Sequence, residues 1–382
     1  MNKKEIAEIK KQFTQDKCAI TRICGCYVDG EKNKKTEIKE AFLSLPEEEI
    51  FKYFSIFRKA LSGTVGKNLL NMEFPLATEE AGGTQDFLMQ LRASALKDEN
   101  LLEEFYDKVI ENYYTVENYL ILLIHAVYDV PGKASDGEEM FDASDEVYDH
   151  ILCCICPVTL SKPGLAYDET SNSFRTRVLD RVVDMPEIGF LFPAFNDRST
   201  DIHSLLYYVS KPEELRFDFV EPVLGCELPL SAGDQKETFQ TIVEETLGEA
   251  CDYEIVKNIH DKLNEMIEEK KEEPEPVVLD KAEVKRLLEY SGVAEDKLQN
   301  FDEKFEANAD EKAQFVATNV ANVRQFEVKT PDVVVKVSPD RTDLVSTRII
   351  DGRKCLVIAL ESGVLVNGIA VHMPVDDEAD EE

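Results

Sequence analysis

The residues of this chain whose types and spacing suit chemistry fall in two apolar runs. His125 and Asp129 lie in the first, Tyr119 to Val130, and Asp197, Arg198, Asp201 and His203 lie in the second, GFLFPAFNDRSTDIHSLLYYV, from Gly189 to Val209. An imidazole oriented by a carboxylate can act as a general base, and a guanidinium can hold an anionic substrate. Read as strands, the runs place His125 with Asp129 on one face and Asp201 with His203 on another. If those strands are neighbours, these four groups with Asp197 and Arg198 make an acid–base site. No Gly-x-Ser-x-Gly elbow is present, and Ser199 and Ser204 are the nucleophile candidates. Each feature also has a plainer role. A histidine in an apolar run is more often a core residue with a satisfied ring nitrogen, and Asn and Asp at a chain reversal bond their own backbone.

Metal and phosphate chemistry are weaker readings. Cys153 and Cys156 have knuckle-like spacing, and Cys24 and Cys26 offer two more thiols. In strands, however, the first pair faces opposite ways, whereas structural zinc takes its close ligand pairs from tight turns. We therefore expect no metal and no cofactor, with these thiols acting as small apolar residues. The segment Gly63-Thr64-Val65-Gly66-Lys67-Asn68 resembles a phosphate loop but has Leu61 where a glycine is needed and Asn68 where Ser or Thr is needed. Arg175, Arg177 and Arg181 form a basic group that either pairs with nearby acids or joins Arg198 in an anion site.

The net charge of −34, from 77 acidic against 43 basic residues, argues against binding to nucleic acid, whose phosphates it would repel. The first thirteen residues read as an amphipathic helix and not as a secretory signal, with Ile6, Ile9 and Phe13 inward. The longest apolar run, Tyr119 to Val130, is too short to span a bilayer. Nine cysteines, scattered and odd in number, fit reduced thiols in a cytoplasm.

The elements that must position these residues follow from patterning. Cys18 to Val28 and Thr36 to Leu43 flank Asp29-Gly30 and predict a hairpin. Pro46 and three glutamates open a helix ending near Gly63, and two more helices span Thr84 to Tyr114, with Thr84 as N-cap. Tyr119 to Val130 reads as a central strand and Val147 to Leu160 as another. Between them, residues 131–146 read as an exposed connection suited to a flap or to docking, whose acids Asp136, Glu138, Glu139, Asp142 and Asp145 do not fit a calcium loop. Two helices follow, from Asp234 to Leu247 and from Tyr253 onward. Glu273-Pro274-Glu275-Pro276 then breaks helix and sheet alike.

The runs CAITRICGCYVDG, DVPGKASDGEEMFDASDEVY and GFLFPAFNDRSTDIHSLLYY resemble a family of uncharacterised proteins from Gram-positive, largely anaerobic bacteria that carries only a domain-of-unknown-function label. The resemblance covers most of the chain. It implies a bacterial cytosolic protein and brings no activity, cofactor or catalytic residue.

Together these features predict an α+β protein with a mixed main sheet and packed helices in residues 1–272. A Glu/Pro linker (273–279), a helical hairpin (280–308), a small antiparallel β-module (309–374) and an acidic, disordered tail (375–382) complete the expected order. The reading favoured is a non-enzymatic cytosolic adaptor that binds another protein. The alternative is a hydrolase-like acid–base enzyme acting on an anionic small molecule.

Overall fold

The computed structural model describes residues 1–133, 139–140, 146–310, 313–360 and 363–371. The acids Asp136, Glu138, Asp142 and Asp145, the side chain of Glu139, and the acidic end from Asp376 to Glu382 therefore lie outside the described residues. The chain divides into two compact units, Met1–Glu237 with Glu272–Pro276, and Thr238–Lys271 with Val277–Glu382.

The first unit is organised on one eight-stranded sheet. Its strands, numbered along the chain, are β1 (Ile20–Val28), β2 (Lys34–Ala41), β3 (Leu69–Glu73), β4 (Asn118–Val130), β5 (Glu146–Leu160), β6 (Arg181–Val183), β7 (Ile188–Phe192) and β8 (Ser204–Val209). The order is β2-β1-β4-β5-β7-β8-β3, and β6 pairs with the end of β5. The expected α+β class holds. Each pairing within this sheet is antiparallel, so it is not the mixed sheet anticipated.

Both faces of the sheet are buried, which explains why its middle strands read as unbroken apolar runs. Cys24, Ile121, Leu123, Cys153 and Phe190 point to one side, where they meet Leu88, Leu91, Leu102 and Phe105. Those partners lie on α3 (Thr84–Ala93) and α4 (Glu99–Asn112), which follow α1 (Lys3–Lys10) and α2 (Glu47–Ala60) in the chain. On the other side Ile23, Leu122, Ile124, Leu152 and Leu206 meet Ile6 and Ile9 of α1 and Phe54 and Phe57 of α2. Helix α1 begins with a capping box in which the Asn2 side chain and Glu5 satisfy each other's backbone donors. Helix α2 has Glu47, Glu48 and Glu49 in its first turn and Arg58 and Lys59 in its last, each sign opposite to the helix-end charge it sits near. Helix α3 is capped by Gly83 and not by Thr84, which is its first residue. The Gly82-Gly83 pair makes the reversal there, with Gly82 at φ +85° and the Gly83 N–H donating to Glu80 O at 2.8 Å.

In the second unit, the part of α5 (Ala232–Leu247) that follows Glu237 and α6 (Tyr253–Glu269) supply Phe239, Ile242, Ile259 and Leu263 to a core shared with segments after residue 277. That core includes Leu287 and Leu288 of α7 (Lys281–Tyr290), and Phe301 and Phe305. The second arm of the expected helical hairpin is two short helices, Glu295–Leu298 and Phe301–Asn308, because Asn300 leaves helical geometry. The C-terminal strands form separate two-stranded hairpins: Phe326–Lys329 with Val334–Val337, Val345–Ile350 with Arg353–Ile358, and Val364–Val366 with Ile369–Val371.

Gly189 on β7 marks where the first unit tolerates no side chain. A Cβ there would stand 2.6 Å from the Cys153 carbonyl oxygen of β5 and 3.5 Å from Ala60 of α2. Gly189→Ala is expected to destabilise by about 2 kcal/mol or more, because the obstacle is backbone in a packed sheet. Gly164→Ala, in open space, should leave the denaturant midpoint nearly unchanged. Equal midpoints for the two variants would refute this account.

Candidate functional site

The structure disperses the expected acid–base set. His125 is on β4 and His203 precedes β8, and β5 and β7 lie between those strands, so the two are separated by about 14 Å of sheet. Asp129 shares a face with His125 but sits four residues along it, about 13 Å away, and cannot orient the ring. The carboxylate beside His125 is Asp149 of β5, with Oδ1 2.8 Å from Nε2. That oxygen lacks an aligned hydrogen bond, so the pair is a close polar contact. On the other ring nitrogen, Nδ1 lies 2.6 Å from the hydroxyl of Thr21, which also donates to the His125 carbonyl at 3.1 Å. Thr21 is the extra residue of a bulge in β1, where the pairing with β4 shifts between Ile20 and Arg22, and the bulge turns its hydroxyl toward the ring.

Two guanidinium groups border this cluster. The Nε atoms of Arg22 and Arg92 are buried without a hydrogen-bond partner among the described residues. Burial raises the Asp149 pKa, but His125, with the further positive charge of Arg92, outweighs it and holds the carboxyl below its ordinary value. Ala95 and Leu96, which join α3 to α4 nearby, both have positive φ, and the Leu96 carbonyl accepts from the Cys24 thiol at 3.7 Å. Two successive non-glycine residues in that conformation are held by their surroundings.

The central stretch forms a small hairpin, Ala194–Asn196 with Ser199–Asp201, whose tip residues Asp197 and Arg198 both have positive φ. This matches the two-residue reversal of an I′ turn. Asp201 ends the hairpin instead of sharing a strand with His203. It accepts from the Asn196 amide at 2.6 Å and from the His203 N–H at 3.0 Å. Burial raises its pKa, but these bonds and one from Ser204 lower it further. His203 is exposed, and its ring lies 2.7 Å from Glu79, which raises its pKa.

Arg198 reaches back to α1. Its Nε and Nη2 donate to Glu8 at 3.0 and 2.8 Å, and Nη2 also donates to the Pro131 carbonyl at 2.9 Å. Tyr128 donates its hydroxyl to the same Glu8 carboxylate at 3.0 Å. Beside this tie a cleft of about 450 Å³ opens between α1 and the end of β4, lined in part by Lys4, Lys11, Lys17, Gln12 and Asp129. Glu8 gave no sign in the sequence; only its position on the outer face of an amphipathic α1 pointed that way.

Arg175, Arg177 and Arg181 do not join Arg198. They lie where β6 pairs with Leu160, while Ser199 and Thr200 bond Glu146 at the opposite end of β5, about 45 Å away along the strand. The buried cysteines divide between the two cores, with Cys24, Cys26, Cys153 and Cys226 in one and Cys154 and Cys156 in the other. Among the described residues no group of three or more His, Cys, Asp or Glu side chains could hold a metal ion. No helix of the described residues is long and apolar enough to cross a membrane.

Fold and sites thus define an α+β protein built on an antiparallel sheet covered by helices on both faces, with a helix-bordered cleft and a polar histidine cluster. The chain belongs to the family described as domain of unknown function DUF4317, which it matches over residues 1–369. No curated protein matches it.

His150, missed in the sequence, gives a pH-dependent outcome. Its ring stacks on Tyr148 at 4.3 Å between centroids, and Nε2 is buried with no partner among the described residues. Burial lowers its pKa from 6.5 to about 4. Between those values the unfolded chain binds a proton that the folded chain excludes, so this residue's contribution to stability falls as pH drops from 6.5 toward 4. His150→Phe keeps a stacking ring and removes the titration. Thermal melts across that window should show a shallower loss for the variant, and parallel curves would assign the acid sensitivity elsewhere.

Proposed function

We propose that the protein is a non-enzymatic binding protein that docks on another protein through the arm following β5. The carrying observation is that every residue from Glu169 to Met185 is exposed. Its hairpin pairs Leu165–Asp168 with Ser173–Thr176, and Tyr167 packs on Phe174 at 5.6 Å. Leu165 (75 %), Phe174 (72 %) and Val178 (64 %) nonetheless face solvent. A contiguous exposed apolar surface of this kind marks an interaction site. Arg177 and Arg181 make no ion pair among the described residues, and Arg175 is 3.4 Å from Asp168, so aromatic anchors stand beside free guanidinium groups. Such a surface suits a partner with an apolar groove rimmed by carboxylates. A bacterial cytosolic setting accords with the family resemblance and with nine free thiols. The charge of −34 argues against nucleic acid as the partner.

The test is cross-linking in native cytosol from Lys162, at the base of the arm. One predominant protein should be joined there, and Tyr167→Ser with Phe174→Ser should reduce that product at least tenfold while the melting temperature holds. The same cross-links at the same yield in the double variant would exclude the arm as the docking surface.

A second reading, an acid–base enzyme acting on an anionic small molecule, is favoured by the exposed Thr21 hydroxyl 2.6 Å from His125 Nδ1, with Arg22 and Arg92 at hand for an anion. On this reading a fluorophosphonate should label Thr21, and His125→Gln should abolish the label with the fold intact. Absence of label at Thr21, or labelling indifferent to His125, counts against it.

A further inference from the structure

We propose that the cleft between α1 and the end of β4 binds an organic phosphate monoester. The first reason is charge. The chain carries 77 acidic against 43 basic residues, so a cluster of lysines stands against a negative background. Lys4, Lys11 and Lys17 border one cleft, yet none makes an ion pair among the described residues. Lys4 and Lys11 are placed there by helical geometry, since residues 4, 8 and 11 share a face of α1 and its turn, opposite the buried Ile6 and Ile9. Lys17 comes from the short turn Gln15–Lys17 before β1.

The acids facing the cleft do not cancel this charge. Glu8 accepts two donors from Arg198 and one from Tyr128, so a guanidinium already matches its negative charge. Asp129 is the remaining carboxylate of the lining. Among the described residues three ammonium groups therefore face one further acid, a local excess of positive charge inside a strongly negative field. Lysine binds phosphate as a compact point charge, and several lysines around one concavity suit a dianionic group.

The second reason is shape. A volume of about 450 Å³ falls within the range of about 300–1,000 Å³ typical of small-molecule sites. Val127, Tyr128 and Pro131 give one wall apolar surface, and Gln12, itself buried, adds an amide. An ester whose phosphate meets the lysines can lay its organic part on that wall. The Arg198–Glu8 tie fixes α1 against the hairpin, so the lysine-bearing face is held in place before a ligand arrives. This inference does not rest on the docking arm, which lies at the other end of β5.

The test is calorimetric titration of the full chain with adenosine monophosphate, glucose 6-phosphate, inorganic phosphate and uncharged adenosine. Saturable binding of at least one ester, weaker binding of inorganic phosphate and none of adenosine is the expected pattern, with affinity falling as salt rises. Lys11→Glu with Lys17→Glu should weaken ester binding at least tenfold. Lys3→Glu, on α1 but outside the cleft, should not. These lysines are exposed, so the melting temperatures of the variants should match the parent. No saturable binding by either ester, equal binding of adenosine, or equal weakening by Lys3→Glu and the cleft variants would each overturn the proposal.

Discussion

The first unit depends on burying both faces of β4. Its residues from Tyr119 to Ala126 are all buried, alternating between the core under α3 and α4 and the core under α1 and α2. An antiparallel strand commonly keeps one wet face, and its alternation then fixes register. Here the pattern is apolar on both sides, so the helices must supply what alternation does not. They do so by close packing at particular points, such as Ala60 of α2 above Gly189.

That constraint sets where polar groups can stand. Within the apolar middle of the sheet no charge is tolerated, and the chemistry-bearing residues collect at the strand ends. His125, Asp149, Thr21, Arg22 and Arg92 gather at one margin of the core, and Glu8, Arg198, Tyr128 and Asp129 near the same end of β4 by α1. Each cluster is joined by cross-strand or helix-to-hairpin contacts and not by sequence neighbours. The cleft lysines make no ion pair among the described residues, and Glu8, which shares their cleft, serves Arg198.

This arrangement explains what could be seen from residues alone. Helices with one apolar face, such as α2 and α4, and strands as long as β4 and β5 were legible because their periodicity or length is local. The turn at Asp197-Arg198 was legible too, since two strong apolar runs flank it. Its partner was not, because Glu8 lies 190 residues away and only the folded topology brings α1 to the hairpin. The His125 neighbour was misread for the same reason. Asp129 shares its strand face, but contact across strands is decided by register, and β5 presents Asp149 beside Val127. The all-antiparallel sheet was likewise hidden, since long apolar strands separated by helices look alike in parallel and antiparallel arrangements.

The position of β3 has a consequence for the order in which the molecule is made. This strand is an edge of the sheet, and its sheet neighbour is β8, with Glu73 opposite Ser204 and Tyr208 opposite Leu69. During synthesis β3 leaves the ribosome long before β8 exists. Leu70 and Met72, destined for one core, and Leu69, destined for the other, are then without the strand they pair with. Contacts so distant in sequence are made late, and an unpaired apolar strand in the meantime is a template for wrong pairing. The nascent chain is therefore open to misassociation after β3 emerges and before β8 does, and completion of the sheet awaits the stretch from Gly189 to Val209.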